Sequence, residues 1–312
     1  MQNMMSFDHG ETNTLCALKP AGPELSSIYQ IDFDTSLKHS NATQNIYFSN
    51  YFEWQGQARE RWFIECIQND LLQAEGIFVT STANNQFIRE AFPFQKIMCR
   101  VNSFNIRQCS FYLRFEFFLG ERLSSKGYQK IAFSGHDKKL KRIPAEALRK
   151  IREYEVDECI LDDVPVTPPV NIAPSLHVKN MVYSTEFRTS LKHSNATKNI
   201  YFSNYFDWQG AAREQWFYDR IDKNMCANYG FFVTALAHND FIQEAFPFQK
   251  IRCDVHSFNI QRCCFYLGFE FFNDESLISK GYQKVVFSDH DKRIRRLPEE
   301  ILQKVLRFER QL

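Results

Sequence analysis

The sequence carries almost no net charge. Its 38 Lys and Arg offset 37 Asp and Glu to leave +1, so bulk electrostatics draws it neither to nucleic acid nor to an anionic membrane. No apolar run approaches the ~20 residues of a membrane-spanning helix. The opening MQNMMSFDHGETNT lacks the basic segment and apolar stretch of a secretory signal. The nine cysteines include no Cys-x-x-Cys pair, and their only close pair is the vicinal Cys263–Cys264. No zinc or disulfide framework is expected, and a reducing cytoplasm is the default compartment. No glycine-rich nucleotide loop is visible, and neither a metal nor a cofactor is expected. Phenylalanine, by contrast, is abundant at 31 residues, with aromatics at 15%. That abundance fits either a bulky core or a wide apolar cavity.

One stretch occurs twice. TSLKHSNATQNIYFSNYFEWQGQARERWF runs from Thr35 to Phe63, and TSLKHSNATKNIYFSNYFDWQGAAREQWF from Thr189 to Phe217; 25 of 29 positions are identical. The same offset of 154 residues relates EAFPFQKI at Glu90 and Glu244, SFNI at Ser103 and Ser257, and KGYQK at Lys126 and Lys280. A period this long is the length of a small domain, not of a solenoid repeat. The chain reads as a lead-in over 1–24, one copy over 25–155, a linker over 156–178 and a second copy over 179–312. The linker holds four prolines; extended at ~3 Å per residue, it could cross the width of a domain.

Within a copy, Ser27 to Lys38 alternates as a half-buried strand does, with Tyr29, Ile31 and Phe33 on one side. Turn chemistry follows in KHSNAT. The strongest helical signal spans about 50–69, with Asn50 and Glu53 spaced as a capping box. Strands are expected at Ile77–Thr82, Phe94–Ile106, Ser110–Phe118 and Tyr128–Ser134, then a short helix at Pro144–Tyr154.

This order, with the spacing N-x9-Y-x7-R, resembles the hotdog fold of the 4-hydroxybenzoyl-CoA thioesterase superfamily. There a motif D-x-x-G-x-[LV]-x-[NH]-x-x-Y precedes and opens the central helix. More narrowly, NIYFSNYFEWQGQARERWF is similar to the helix of the enediyne-type polyketide thioesterases, which carry Asn in place of the acidic residue and a Y-x-x-W-Q-G-x-x-R-E run. The ending HDKKLKRIPAEALRKI resembles the superfamily's last strand, turn and short helix. The fold class implied is α+β: two tandem hotdog domains, each an antiparallel sheet wrapped around a long helix. They would pair inside one chain as a pseudo-dimer with sites at the seam, and further homo-oligomerisation is compatible with this.

Thioester hydrolysis needs donors where charge develops on the carbonyl oxygen, a positioned water and an apolar slot. The resemblance implies that Asn41, Tyr51 and Arg59, with Asn195, Tyr205 and Arg213, supply the catalytic set. Gln55, Gln209, Phe48 and Phe202 would contact substrate. Asn cannot act as a carboxylate base, so it would orient water or thioester, and Glu60 and Glu214 stand in reserve as bases. Arg stays protonated and would hold an oxyanion, a carboxylate or a phosphate. Each residue also has a plain structural reading: Asn41 as a turn residue, Tyr51 as core, Arg59 as a solvated helix charge. His39 and His193 read as structural; His136-Asp137 and His290-Asp291 read as solvated turns. Lys138, Lys139, Lys141 and Arg142, matched by Lys292, Arg293, Arg295 and Arg296, read either as solvated surface or as a contact for an acidic carrier protein or a CoA phosphate.

The leading expectation is therefore an acyl-thioesterase acting on an acyl or polyketide chain carried by an acyl carrier protein or CoA, with a polyketide synthase as a possible partner. The alternatives are an acyltransferase or decarboxylase that uses Tyr51 as acyl acceptor, and a non-catalytic acyl-binding subunit. No His and Asp pair is spaced as in hotdog dehydratases.

Overall fold

The computed structural model describes residues 27–68, 76–156 and 181–310. The lead-in, and all of the linker except Val156, lie outside these residues. In the first half, strand β1 (Tyr29–Asp34) is followed by helix α1 (Asn50–Trp62), strands β2 (Ile77–Phe87), β3 (Lys96–Phe104), β4 (Ser110–Leu119) and β5 (Arg122–Ser134), and helix α2 (Ala145–Arg152). The second half repeats this as β6 (Tyr183–Arg188), α3 (Asn204–Trp216), β7 (Phe231–Phe241), β8 (Lys250–Phe258), β9 (Cys264–Asn273), β10 (Ser276–Ser288) and α5 (Glu299–Leu306), and a short helix α4 (Met225–Asn228) precedes β7.

All ten strands form one antiparallel sheet in the order β1-β3-β4-β5-β2-β7-β10-β9-β8-β6. Each half is a five-stranded hotdog unit, and the halves join through β2 and β7. Asn84 pairs with His238 in that ladder, and these two positions differ by the repeat offset. A pseudo-two-fold axis therefore passes between them, and the expected pseudo-dimer is built within one sheet.

Alternation explains the strands. In β4, Phe111, Leu113, Phe115 and Phe117 are fully buried toward the helices, while Tyr112, Arg114 and Glu116 turn to the other face. Helix α1 buries Tyr51, Phe52, Trp54, Gln55, Gly56, Ala58, Arg59 and Trp62, leaving Glu53, Gln57 and Arg61 as its solvent stripe. Each half has its own aromatic core. A third apolar cluster of Phe48, Phe52, Ala83, Phe202, Phe206 and Ala237 lies at the seam. There Phe52 and Phe206 stack face to face, 5° from parallel. The pseudo-axis sets each ring against its own counterpart.

The structure corrects several sequence expectations. β2 runs on to Phe87 rather than ending at Thr82, because the polar segment Thr82–Gln86 is paired on both sides, with β5 and β7. β5 begins at Arg122. The long helix becomes a wide π turn over Phe63–Ile67. Asn50 does not cap α1: it is the helix's first residue, and its Nδ2 donates backward to the carbonyls of His39 (2.8 Å) and Tyr47 (3.0 Å). Among the described residues no helix is long and apolar enough to cross a membrane.

Candidate active site at the seam

The two long helices present their middles to each other's half. Arg59 is buried, and its position is over-determined. Nη1 donates to Gln129 Oε1 (2.9 Å) and to the Thr80 hydroxyl, and Nη2 to Glu60 Oε1 (3.4 Å). Its guanidinium carbon lies 5.1 Å from the ring centroid of Phe202, in the other half. The Tyr201 hydroxyl, also from the other half, donates to the same Glu60 oxygen at 2.6 Å, a short charge-assisted bond. The repeat builds this twice. Arg213 donates to Gln283 Oε1 (2.8 Å), to Thr234 and to Glu214, and lies 5.1 Å from the Phe48 ring. Tyr47 donates to Glu214 Oε1 at 2.6 Å.

Burial pushes both tyrosine hydroxyls well above their ordinary pKa, against the pull of the nearby guanidinium and in line with the adjacent carboxylate. Both therefore stay protonated and act as donors at neutral pH. A Cβ at residue 56 would land on the Tyr201 hydroxyl, and one at residue 210 on that of Tyr47. Gly56 and Gly210 are what admit each tyrosine to the opposite helix.

Gln55 extends the polar chain inward. Its Nε2 donates to the Asn84 carbonyl (3.0 Å) and Asn85 Oδ1 (3.2 Å), and its Oε1 accepts from Gln129 Nε2 (3.2 Å). Gln209 is held the same way by His238, Asn239 and Gln283. Both amides bind the helix to the sheet and hold the arginine through the next glutamine.

Tyr51 is sealed among Trp54, Phe87 and Phe117 with 2% of its surface exposed. Burial pushes its pKa to about 12, with Ser124 beside the hydroxyl opposing the shift. Tyr205 is buried likewise and also raised. Asn41 closes its turn: Oδ1 accepts from the Thr43 amide (3.0 Å) and hydroxyl (2.7 Å), and Asn195 does the same with Thr197. Only the Nδ2 donors of these asparagines remain for a substrate. His39 accepts from the Ser36 amide through Nδ1 (3.0 Å) and meets Trp54 edge-on, a structural role repeated by His193.

The structure thus brings Arg59, Glu60 and Phe202 together, and Arg213, Glu214 and Phe48. Sequence reasoning missed the tyrosines at 47 and 201, which complete each cluster. Their signal was present in their identity between the copies, but the carboxylates they meet lie in the opposite copy. Among the described residues no group of His, Cys, Asp and Glu is placed to hold a metal.

A profile of the thioesterase-like superfamily matches residues 31–151 and 190–305. Among solved structures, a putative oleoyl thioesterase from Lactobacillus plantarum superposes with a TM-score of 0.68 at 9% identity, over 84% of this chain and 97% of that one. The 12:0-ACP thioesterase from Umbellularia californica gives 0.67 at 7% identity, over 84% and 94%. An acyl-ACP thioesterase from Bacteroides thetaiotaomicron gives 0.63 at 9%, over 84% and 98%. At these identities the likeness is one of fold, and it spans both halves. No curated protein matches the chain in sequence. The chain belongs to the thioesterase-like superfamily, and its enzyme class is that of the thioester hydrolases.

Proposed function

We propose that the protein hydrolyses acyl thioesters at two seam sites, with Glu60 and Glu214 as general bases. The observation that carries this is the shared grip on each carboxylate: Arg59 and Tyr201 both bind Glu60 Oε1, leaving Oε2 free. Oε2 takes a proton from water as its oxygen bonds to the thioester carbonyl carbon. When the carbon–sulfur bond breaks, that proton passes to the leaving thiolate. Arg59 keeps the carboxylate oriented, and Tyr201 fixes its rotamer. Asn195, on the turn that leads to Tyr201, offers Nδ2 to the oxyanion, and Asn41 does so for the Glu214 site. This keeps the Asn and Arg of the sequence motif in the site, assigns the base to the helix carboxylate, and gives Tyr51 and Tyr205 the walls beneath.

Phe48 and Phe202 would line the entry of the acyl chain. The W-Q-G-x-x-R-E helix supports a polyketide or similarly unsaturated chain. The names of two structural neighbours as acyl-ACP thioesterases support delivery on a carrier protein. The free cysteines among the described residues support a cytoplasmic setting.

The test is thiol release from a panel of acyl-CoA and acyl-carrier thioesters, comparing the native protein with the Glu60→Gln/Glu214→Gln and Arg59→Ala/Arg213→Ala double variants. Release with free acid in the native protein, lost in both variants, supports the assignment. An unchanged rate in the Glu double variant refutes it.

A further inference from the structure

Each half holds one phenylalanine in an unfavourable backbone and leaves it in solvent. Phe94 has φ 68° and Phe248 φ 69°, with 76% and 78% of their surfaces exposed. Bulky L residues rarely adopt this conformation, and such outliers persist only where their surroundings over-determine them. Here they do. The Thr35 hydroxyl donates to the Gln95 carbonyl (2.7 Å) and accepts from the Gln95 amide (2.9 Å); the Phe94 amide donates to the Thr35 carbonyl (3.2 Å); Gln95 Oε1 accepts from the Phe92 amide (2.9 Å). Thr189 and Gln249 pin Phe248 the same way.

The other half completes each patch. Lys292 reaches across to Glu90 at 2.7 Å, and its ammonium stands 4.9 Å from the Phe92 ring centroid. Lys138 reaches Glu244 at 2.5 Å and lies 5.1 Å from the Phe246 ring. Both lysines sit at left-handed hairpin tips, and two residues beyond each tip lie the exposed Ile294 and Leu140. Arg293 and Arg296 flank one patch, and Lys139, Lys141 and Arg142 the other. All are exposed, and none pairs with a carboxylate among the described residues. Each patch adjoins a site. Glu90 also accepts from Asn45 Nδ2 (3.0 Å), and two residues on, Tyr47 meets Glu214.

We propose that these two patches are docking surfaces for an acidic carrier protein that delivers the acyl chain as a thioester; this rests on the hydrolase reading above. A near-neutral chain that concentrates unpaired basic groups around a strained, exposed aromatic offers charge complementarity to an acidic partner. It also offers the aromatic anchor that dominates protein interfaces. A CoA phosphate would use the basic groups but not Phe94 or Ile294.

The test sets one acyl group on three carriers: a holo acyl carrier protein, CoA and N-acetylcysteamine. The variants are Phe94→Ser/Phe248→Ser and Lys139→Glu/Arg142→Glu/Arg293→Glu/Arg296→Glu. The expected result is a fall of about ten-fold or more in kcat/KM for the carrier-borne substrate, carried by KM, with the N-acetylcysteamine thioester unchanged. Equal loss on all three substrates, no loss on any, or a CoA loss matching that of the carrier overturns the proposal. So does loss of association with phosphatidylglycerol vesicles while carrier kinetics stay intact. If the native protein cleaves none of the three, the hydrolase reading fails, and fluorescence anisotropy of labelled holo carrier decides the surface. Salt-sensitive, saturable binding weakened by both variants upholds docking; absence of binding overturns it.

Discussion

Carrying the first half onto the second by 154 residues separates the two faces of the sheet. On the helix side the polar chain repeats almost atom for atom. Asn85, Gln55, Gln129, Arg59 and Glu60 find their counterparts in Asn239, Gln209, Gln283, Arg213 and Glu214, with matching bonds. On the outer face the copies have diverged. Asn84 faces His238, Gln86 corresponds to Asp240, Asn102 to His256, and Arg114 to Gly268. The divergence is compensated. Arg114 pairs with Glu116 in one half (3.2 Å); in the other, where Gly268 replaces it, Arg310 from the C-terminal segment takes the equivalent Glu270 (3.0 and 3.2 Å). The His256 ring fills the space where a side chain at 268 would stand. On the outer face packing alone suffices at some positions: both His256 ring nitrogens are buried without a hydrogen-bond partner among the described residues. The seam presents the same groups in both copies, as the two proposed sites would require.

The largest expected effect tests that equivalence. Replacing Glu60 or Glu214 singly by Gln should each remove about half of the thiol-release rate, since the sites share no ligand and independent effects add. The double variant should lose about 100-fold or more, the usual contribution of a positioned general base. A single variant that already abolishes activity would show one site to be vestigial, despite its intact geometry.

The outer-face difference should appear in acid. Burial, with Arg310 nearby, lowers the His256 pKa from 6.5 to about 3. The unfolded chain therefore binds a proton that the folded chain refuses between those values, so stability falls as pH drops from 6.5 toward 3. At about pH 4 the penalty is on the order of 3 kcal/mol, and at neutral pH it is absent. Asn102, its counterpart, does not titrate. Urea unfolding at both pH values should show His256→Asn losing less stability on acidification than the native protein, by that margin. Parallel pH profiles would break the contrast between the halves.

Much of this was legible in the chain. The duplication, the aromatic helix and the alternating β4 depend on local patterns of apolar residues, and those patterns are strong here. The polar end of β2 was not legible, because Thr82 to Gln86 has no apolar period and its second partner, β7, lies in the other copy. The same distance hid Tyr201 from Glu60 and Tyr47 from Glu214. Asn50 matched a cap by type and spacing, but its amide is used to tie the helix start to the preceding turn. What the helical Gly56 admits, the Tyr201 ring of the other half, is visible only in the structure.

Gly56→Ala tests that admission. The new methyl displaces the Tyr201 hydroxyl and so loosens Glu60, at an overpacking cost of about 1–3 kcal/mol together with loss of rate at that site. Removing the hydroxyl first, with Tyr201→Phe, should relieve much of the clash, so the double variant costs less than the two single changes summed. Gly210→Ala with Tyr47→Phe should behave alike in the other half. Strict additivity in either pair would mean that the glycine serves only the helix.

The smallest effect concerns one of the strained positions that both halves have kept. At φ 68°, alanine in place of Phe94 retains the left-handed penalty, whereas glycine does not. Phe94→Gly should therefore be more stable than Phe94→Ala by about 1 kcal/mol, less the extra freedom glycine gains in the unfolded chain. Phe248 should give the same difference, read from paired urea transitions. A stability gain on removing the native aromatic, found at both positions, means that folding alone would have favoured another residue there, and that the exposed ring is kept for what it touches. If glycine is the less stable replacement in both loops, Phe94 and Phe248 are ordinary loop residues, and the argument from strain to docking loses its first step.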